Sequence, residues 1–207
     1  MMEAKEATYI IMADGKGRRW NKYQGIEKHF IEIDGETIIE RTIRLVKQFD
    51  PHSKIIVTTH NPLYEFKGVT RYEPLNNQYE IDRFTFELID NGVCFLYGDT
   101  YYTEKAIQQI VTLRNESLLF FGNYKKIVAI KVNDKLQMKE HIKNVRQLYL
   151  TKKIEKCIGW QLYQSFEQLP FDFRQINKHF ILFEDETNDF NTPEDYKKFM
   201  KKELVKR

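Results

Sequence analysis

The sequence predicts a three-layer α/β/α sandwich around a mostly parallel mixed central sheet. Short apolar runs of strand length alternate along the chain with amphipathic stretches of helix length, the order of an α/β protein. The runs are apolar at successive positions rather than at every second one, as in strands covered on both faces. A chain of 207 residues, 42% hydrophobic and 14% aromatic, is also large enough to bury the two cores such a sandwich needs.

The elements follow in order. Residues 8–13 (TYIIMA) read as the first strand. A short run at 30–33 ends in Asp34 and Gly35, a tight-turn pair. Residues 36–49 place Ile38, Ile39, Thr42, Leu45, Val46 and Phe49 on one helical face, with Pro51 as the stop. Strands are expected at 54–59, 92–96, 126–132 and 179–183, and helices at 79–89, 103–113 and 134–150. Asn91 and Gly92 end the 79–89 helix. Residues 151–177 have the weakest periodicity, and their aromatics Trp160, Tyr163, Phe166, Phe171 and Phe173 either line a pocket or fill a layer. A last helix covers 192–204, with Thr192 as N-cap, Pro193 as first helical residue and Asp195 closing a capping box. Its apolar face is Tyr196, Phe199, Met200 and Leu204. Without repeats or low-complexity linkers, residues 1–207 read as one unit.

Charge and composition exclude several classes. Lys+Arg 33 against Asp+Glu 30 leaves +3, short of the pronounced basicity of a nucleic-acid binder. The lysine-rich 197–207 segment reads as a solvated helix face. No apolar run approaches the ~20 residues of a membrane span, and the run 9–13 is too short for a signal-peptide core, so a cytoplasmic protein is expected. Cys94 and Cys157 stand alone in apolar surroundings, as reduced, packed thiols. The histidines at 29, 52, 60, 141 and 179 show no metal-ligand spacing.

The chemistry concentrates after the first strand, in Asp14, Gly15, Lys16, Gly17, Arg18, Arg19 and Trp20. Two of nine glycines fall here, where backbone amides at the end of a parallel strand can approach a polyphosphate. Lys16, Arg18, Arg19 and Lys28 supply the cations such a site needs. The spacing is neither GxGxxG nor GxxxxGK[ST], and a solvated basic loop is the alternative.

Residues 11–20 resemble the LAAGxGxRM signature of the nucleotidyltransferase superfamily with a GT-A-like, Rossmann-like fold, which includes sugar-phosphate and choline-phosphate cytidylyltransferases and MobA-like enzymes. Gly15, Gly17 and Arg19 fall on its glycines and arginine. The family continues with Pro-Lys, a short strand, a glycine turn and a helix; here Glu27, Lys28, Asp34–Gly35 and 38–43 (IIERTI) keep that order. Residues 96–102 resemble the stretch whose aspartate holds Mg²⁺ against the nucleotide, which implies Asp99. Residues 189–196 (DFNTPEDY) resemble the element whose side chains before Thr-Pro supply the second metal contact, which implies Asp189 and Asn191. Ile158, Gly159, Trp160 and Gln161 resemble the glycine-containing strand on the acceptor side of the cleft, and Asn76, Asn77 and Glu80 stand where relatives read the base or substrate.

The resemblance covers the whole chain. It implies a nucleotide site of Ala13, Asp14, Gly15, Lys16, Gly17, Arg18, Arg19, Asn76, Asn77 and Gly98. Arg19, Lys28 and Asp99 are its catalytic group, and Mg²⁺ sits on Asp99, Asp189 and Asn191. The implied partners are a nucleoside triphosphate, CTP or UTP favoured, and a small phosphorylated acceptor such as a sugar phosphate, without nucleic acid or membrane; a homodimer is one assembly open to it. Two positions depart from the pattern: Asp14 replaces an alanine, placed either to bond a base or ribose or to repel a triphosphate, and Glu27 replaces a proline. Two other readings stay open. One is a glycosyltransferase using a nucleotide sugar, although Thr100 and Tyr101 follow Asp99 where an Asp-x-Asp pair is usual. The other is a nucleotide-binding regulatory relative without turnover. Asp99→Ala is expected to abolish turnover and leave the fold intact.

Overall fold

The computed structural model describes residues 6–206, with side chains to 202. Leu204 and residues 1–5 and 207 therefore lie outside the described side chains. In chain order the elements are β1 (Thr8–Met12), β2 (Glu32–Ile33), β3 (Glu36–Thr37), α1 (Ile38–Phe49), β4 (Lys54–Thr58), β5 (Thr70–Tyr72), β6 (Val93–Tyr97) and β7 (Thr100–Tyr101). They continue with α2 (Glu104–Thr112), β8 (Leu118–Gly122), β9 (Ile127–Val132), α3 (Lys135–Leu150), α4 (Gly159–Glu167), β10 (Phe180–Leu182), β11 (Asn188–Asp189) and α5 (Pro193–Lys206).

Seven strands form the central sheet in the order β10-β8-β9-β6-β1-β4-β5. All adjacent pairs are parallel except the two made by β9, which runs antiparallel to both β6 and β8. Successive residues of β1 point into different cores, Tyr9 and Ile11 with α1 and α2, Ile10 and Met12 with α3 and α4. Each is at most 5% exposed, and full burial of such a side chain contributes about 1.5–3 kcal/mol. This two-sided burial is why the strands lack alternation, and it confirms the three-layer sandwich with a mostly parallel mixed sheet. A third cluster, Trp20, Ile31, Ile33, Ile38, Phe190 and Phe199, seats α5 beside the β2–β3 hairpin. Asp34 and Gly35 join that hairpin at φ 57 and 78, the positive pair a two-residue hairpin turn requires.

Local rules set most helix starts. Thr37 and Glu40 form a capping box on α1, Thr103 caps α2 and Asp134 caps α3. At α5, Asp195 Oδ2 accepts from Thr192 N at 2.9 Å while Thr192 Oγ1 accepts from Asp195 N at 3.2 Å, the expected reciprocal pair.

Three readings are corrected. Residues 79–89 are not an α-helix but two short 3₁₀ segments, Glu80–Phe84 and Phe86–Leu88, separated by Thr85 at φ 35. The tight segment puts Ile81 and Phe84, three apart, into one core. Residues 158–161 are not a strand: Gly159 opens α4, whose Trp160 and Tyr163 pack into the sheet, and Trp160 stacks on Phe180 at 5.5 Å. β8 was not anticipated at all. It is a buried run whose Gly122 is required at the bulge with β9, since a β-carbon there would sit 2.0 Å from Lys126 O. Cys94 and Cys157 are free and buried. No helix among the described residues is long and apolar enough to cross a membrane.

Candidate functional site

From β1 the chain adds β4 and β5 on one side, then returns to place β6 on the other. The loops after β1 and β6 therefore diverge at the point where strand order reverses, the crevice in which open α/β sheets bind ligands. Gly98 N donates to Met12 O at 3.0 Å, and a β-carbon on Gly98 would lie 2.7 Å from that oxygen. Gly98 thus sets the spacing of the two loops and does not line the cleft between them. That cleft has a volume of about 480 Å³.

The loop after β1 is folded by Gly17 at φ 54, whose carbonyl accepts from Trp20 N at 2.9 Å and Asn21 N at 3.0 Å. The buried Trp20 ring pins it through Nε1 to Ile26 O at 3.0 Å. Lys16, Gly17, Arg18 and Arg19 consequently line the cleft. Arg19 Nη2 donates to Asn191 Oδ1 at 2.8 Å, joining this loop to the start of α5.

The floor is a buried ion pair, Lys28 Nζ donating to Asp99 Oδ2. Burial alone would raise the Asp99 carboxyl, but the Lys28 ammonium, with His29 and Arg83 behind it, holds it below its ordinary value. His29 Nδ1 lies 2.6 Å from the Tyr64 hydroxyl, and burial, with Lys28 adjacent, lowers its pKa to about 3. Beside Asp99, the β7–β11 ladder brings in Asp189: Asp189 pairs with Thr100, and Phe190 N donates to Asp99 O at 2.9 Å. Burial, then the neighbouring Asp99 charge, raises the Asp189 carboxyl against the pull of Lys126 and Asn191. Lys126 forms an ion pair with Asp189, and Asn191 Nδ2 also donates to that carboxylate.

The remaining wall joins Glu80 and Trp160 to residues the sequence did not mark, Arg83 and Arg174 among them. Arg83 lies under the glycine loop, its guanidinium 3.4 Å from where a Gly15 β-carbon would be, its Nε buried without a hydrogen-bond partner. Opposite, Arg174 sits 5.0 Å over the Trp160 ring, and both donate to Lys125 O at 2.9 Å. Tyr97 and Glu80 also border the cleft, and burial, then Glu80, raises the Tyr97 phenol.

The structure thus brings Lys16, Gly17, Arg18, Arg19, Lys28, Asn77, Asp99, Asp189 and Asn191 to one cleft. Ala13, Asp14, Gly15, Asn76 and Gly98 are not among its lining residues. Ala13 is buried, its N–H donating to Thr58 O at 3.0 Å. The Asp14 carboxylate is engaged by His60 N at 2.9 Å, His60 Nδ1 at 2.8 Å and Asn77 Nδ2 at 2.6 Å. Asn76 borders a separate cavity with Ile81, Phe84 and Phe86.

The cleft carries eight cationic side chains against three carboxylates, Glu80, Asp99 and Asp189. No group of three or more His, Cys, Asp or Glu side chains able to hold a metal occurs among the described residues. The two carboxylates and the Asn191 amide oxygen nevertheless fit Mg²⁺, which takes oxygen ligands from one or two carboxylates and keeps its waters. The raised Asp189 carboxyl beside Asp99 is a charge conflict that a dication relieves.

No protein-family model and no curated protein matches the sequence. Solved structures do. The chain is similar to 4-diphosphocytidyl-2C-methyl-D-erythritol synthase from Anaerococcus prevotii, with 16% identity, TM-score 0.60 and 98% of this chain and 97% of that chain covered. It is similar to the inositol-1-phosphate CTP transferase from T. maritima, with 12% identity, TM-score 0.57 and 96% of both chains covered. A UDP-glucose pyrophosphorylase complexed with UDP-glucose gives 11% identity, TM-score 0.59 and coverage of 98% and 100%. At these identities the likeness is one of architecture: the chain has, over nearly its full length, the fold of these nucleotidyltransferases.

Proposed function

We propose that the chain is a nucleotidyltransferase that moves a nucleoside monophosphate from a nucleoside triphosphate to a small phosphorylated acceptor and releases pyrophosphate. The observation that carries this reading is the cleft itself: eight cations converge with two adjacent carboxylates where strand order reverses. A phosphate oxygen of the acceptor attacks the α-phosphorus in line; the new P–O bond forms as the bond to the pyrophosphate oxygen breaks. No covalent enzyme intermediate is needed, so the protein's work is positioning and charge neutralisation.

Arg19 and Lys28 hold the β- and γ-phosphates and stabilise the departing pyrophosphate. Asp99, Asp189 and Asn191 hold Mg²⁺, which supplies further neutralisation of the phosphate oxygens when bound. Asn77, fixed on Asp14, borders the cleft from the side where the base would lie. CTP or UTP is favoured, in keeping with the cytidylyl and uridylyl substrates named for the similar structures, and a sugar or polyol phosphate is the favoured acceptor.

The test is a thermal-shift panel of the four ribonucleoside triphosphates with and without Mg²⁺, followed by pyrophosphate release across phosphorylated sugars and polyols. A ligand at 100 times its Kd adds about 2.7 kcal/mol, and one base should show a Mg²⁺-dependent shift of roughly 5–10 °C with pyrophosphate release. No shift with any triphosphate overturns the reading.

A further inference from the structure

Both carboxylates of the cation site are already tied to lysines. Lys28 and Asp99 are each 7% exposed and pair at the cleft floor. Lys126 pairs with Asp189 from the opposite wall and is anchored there, donating to Asn188 Oδ1 at 3.3 Å and to Asp189 O at 3.2 Å. On an open surface such pairs mean little. In a desolvated site, removing either partner leaves an uncompensated charge.

This arrangement constrains what can enter. A dication alone would displace two ammonium groups into a cleft that holds six further cations and, besides Asp99 and Asp189, one carboxylate, Glu80. A polyphosphate alone would meet the six further cations but leave Lys28 and Lys126 committed to their carboxylates. When both enter together, every charge finds a partner: the carboxylates pass to the cation and the lysines pass to phosphate oxygens.

We propose that Lys28 and Lys126 are built-in counterions of the cation site, so that a divalent cation binds weakly until a polyphosphate takes up the two ammonium groups. Lys126 is then a positioning residue that keeps Asp189 paired until the anion arrives. The identity of the anion rests on the nucleotidyl-transfer reading. The coupling is reciprocal: whatever factor the cation adds to polyphosphate affinity, the polyphosphate adds to cation affinity.

The experiment uses Mn²⁺ as the probe, its free concentration followed by electron paramagnetic resonance, without nucleotide. Lys126→Met should bind Mn²⁺ at least tenfold more tightly than the unmodified protein, and Lys126→Met/Asp189→Asn should lose the gain. Lys126→Gln, which keeps a donor for Asn188, shifts in the same direction if the methionine variant does not fold. In the unmodified protein, affinity for CTP or UTP should rise at least tenfold when Mn²⁺ replaces EDTA. Equal Mn²⁺ affinity in the unmodified protein and the Lys126 variants overturns the proposal. A tenfold gain in the variant, with no triphosphate or tripolyphosphate binding under any condition, overturns the nucleotide reading instead.

Discussion

The phenol oxygen of Tyr97 rests against the backbone of Gly159, where a β-carbon would sit 2.5 Å away. Tyr97 ends β6 and Gly159 opens α4, so this contact sets how closely the helix approaches the sheet at the cleft floor. Gly159→Ala should therefore overpack the site and lower stability by about 1–3 kcal/mol. Urea unfolding checks the loss, and Tyr97→Phe in the same chain should restore part of it by removing the clashing hydroxyl.

Asp99→Ala should lower stability as well as turnover, because Asp99 is the buried partner of Lys28. Stranding that ammonium should cost about 3–5 kcal/mol. Lys28→Met/Asp99→Ala should be more stable than the sum of the two single losses, a double-mutant cycle read by chemical denaturation.

His29 should make the protein acid-sensitive. Its pKa is lowered to about 3 in the fold from an ordinary 6.5. The unfolded chain thus takes up a proton first as pH falls. The stability contributed by neutral His29 is present above about pH 6.5 and is lost toward pH 3, by about 1.4 kcal/mol per pH unit at most. Subtracting the pH–stability curve of His29→Gln from that of the unmodified protein isolates this slope from those of Asp99 and Asp189.

Lys131 is buried in β9 and its ammonium donates to Ile110 O at 2.7 Å, Val111 O at 3.1 Å and Leu113 O at 2.8 Å, closing the end of α2. Burial lowers its pKa, so its charge is held at a cost that these carbonyls offset. Lys131→Met leaves them without that donor and should cost about 2–3 kcal/mol, measured as a lower urea midpoint at unchanged slope.

The layers were legible because their causes are local. Two-sided burial writes itself as unbroken apolar runs at β1, β4 and β6, and caps such as Thr192 with Asp195 need only four neighbouring residues. Residues 79–89 misled for the same reason: helical spacing of apolar positions does not reveal that Thr85 adopts φ 35 while Ile81 and Phe84 fill the core. β8 is an equally apolar short run that went unassigned between the 103–113 helix and the 126–132 strand.

The sequence by itself determined the sandwich and the glycine loop after β1, since each lies in a contiguous segment, and its family resemblance pointed to Arg19, Lys28, Asp99 and Asp189, which line one cleft. Only the tertiary structure decided that Arg83, Lys126 and Arg174 face the same cleft, that Asp14 is taken up by His60 and Asn77, and that Asp99 and Asp189 carry lysine partners. Asp99 and Lys28 are 71 residues apart, and nothing in the sequence singles out Asp99 over the adjacent Glu27 as the counterion of Lys28 until the fold buries the two together.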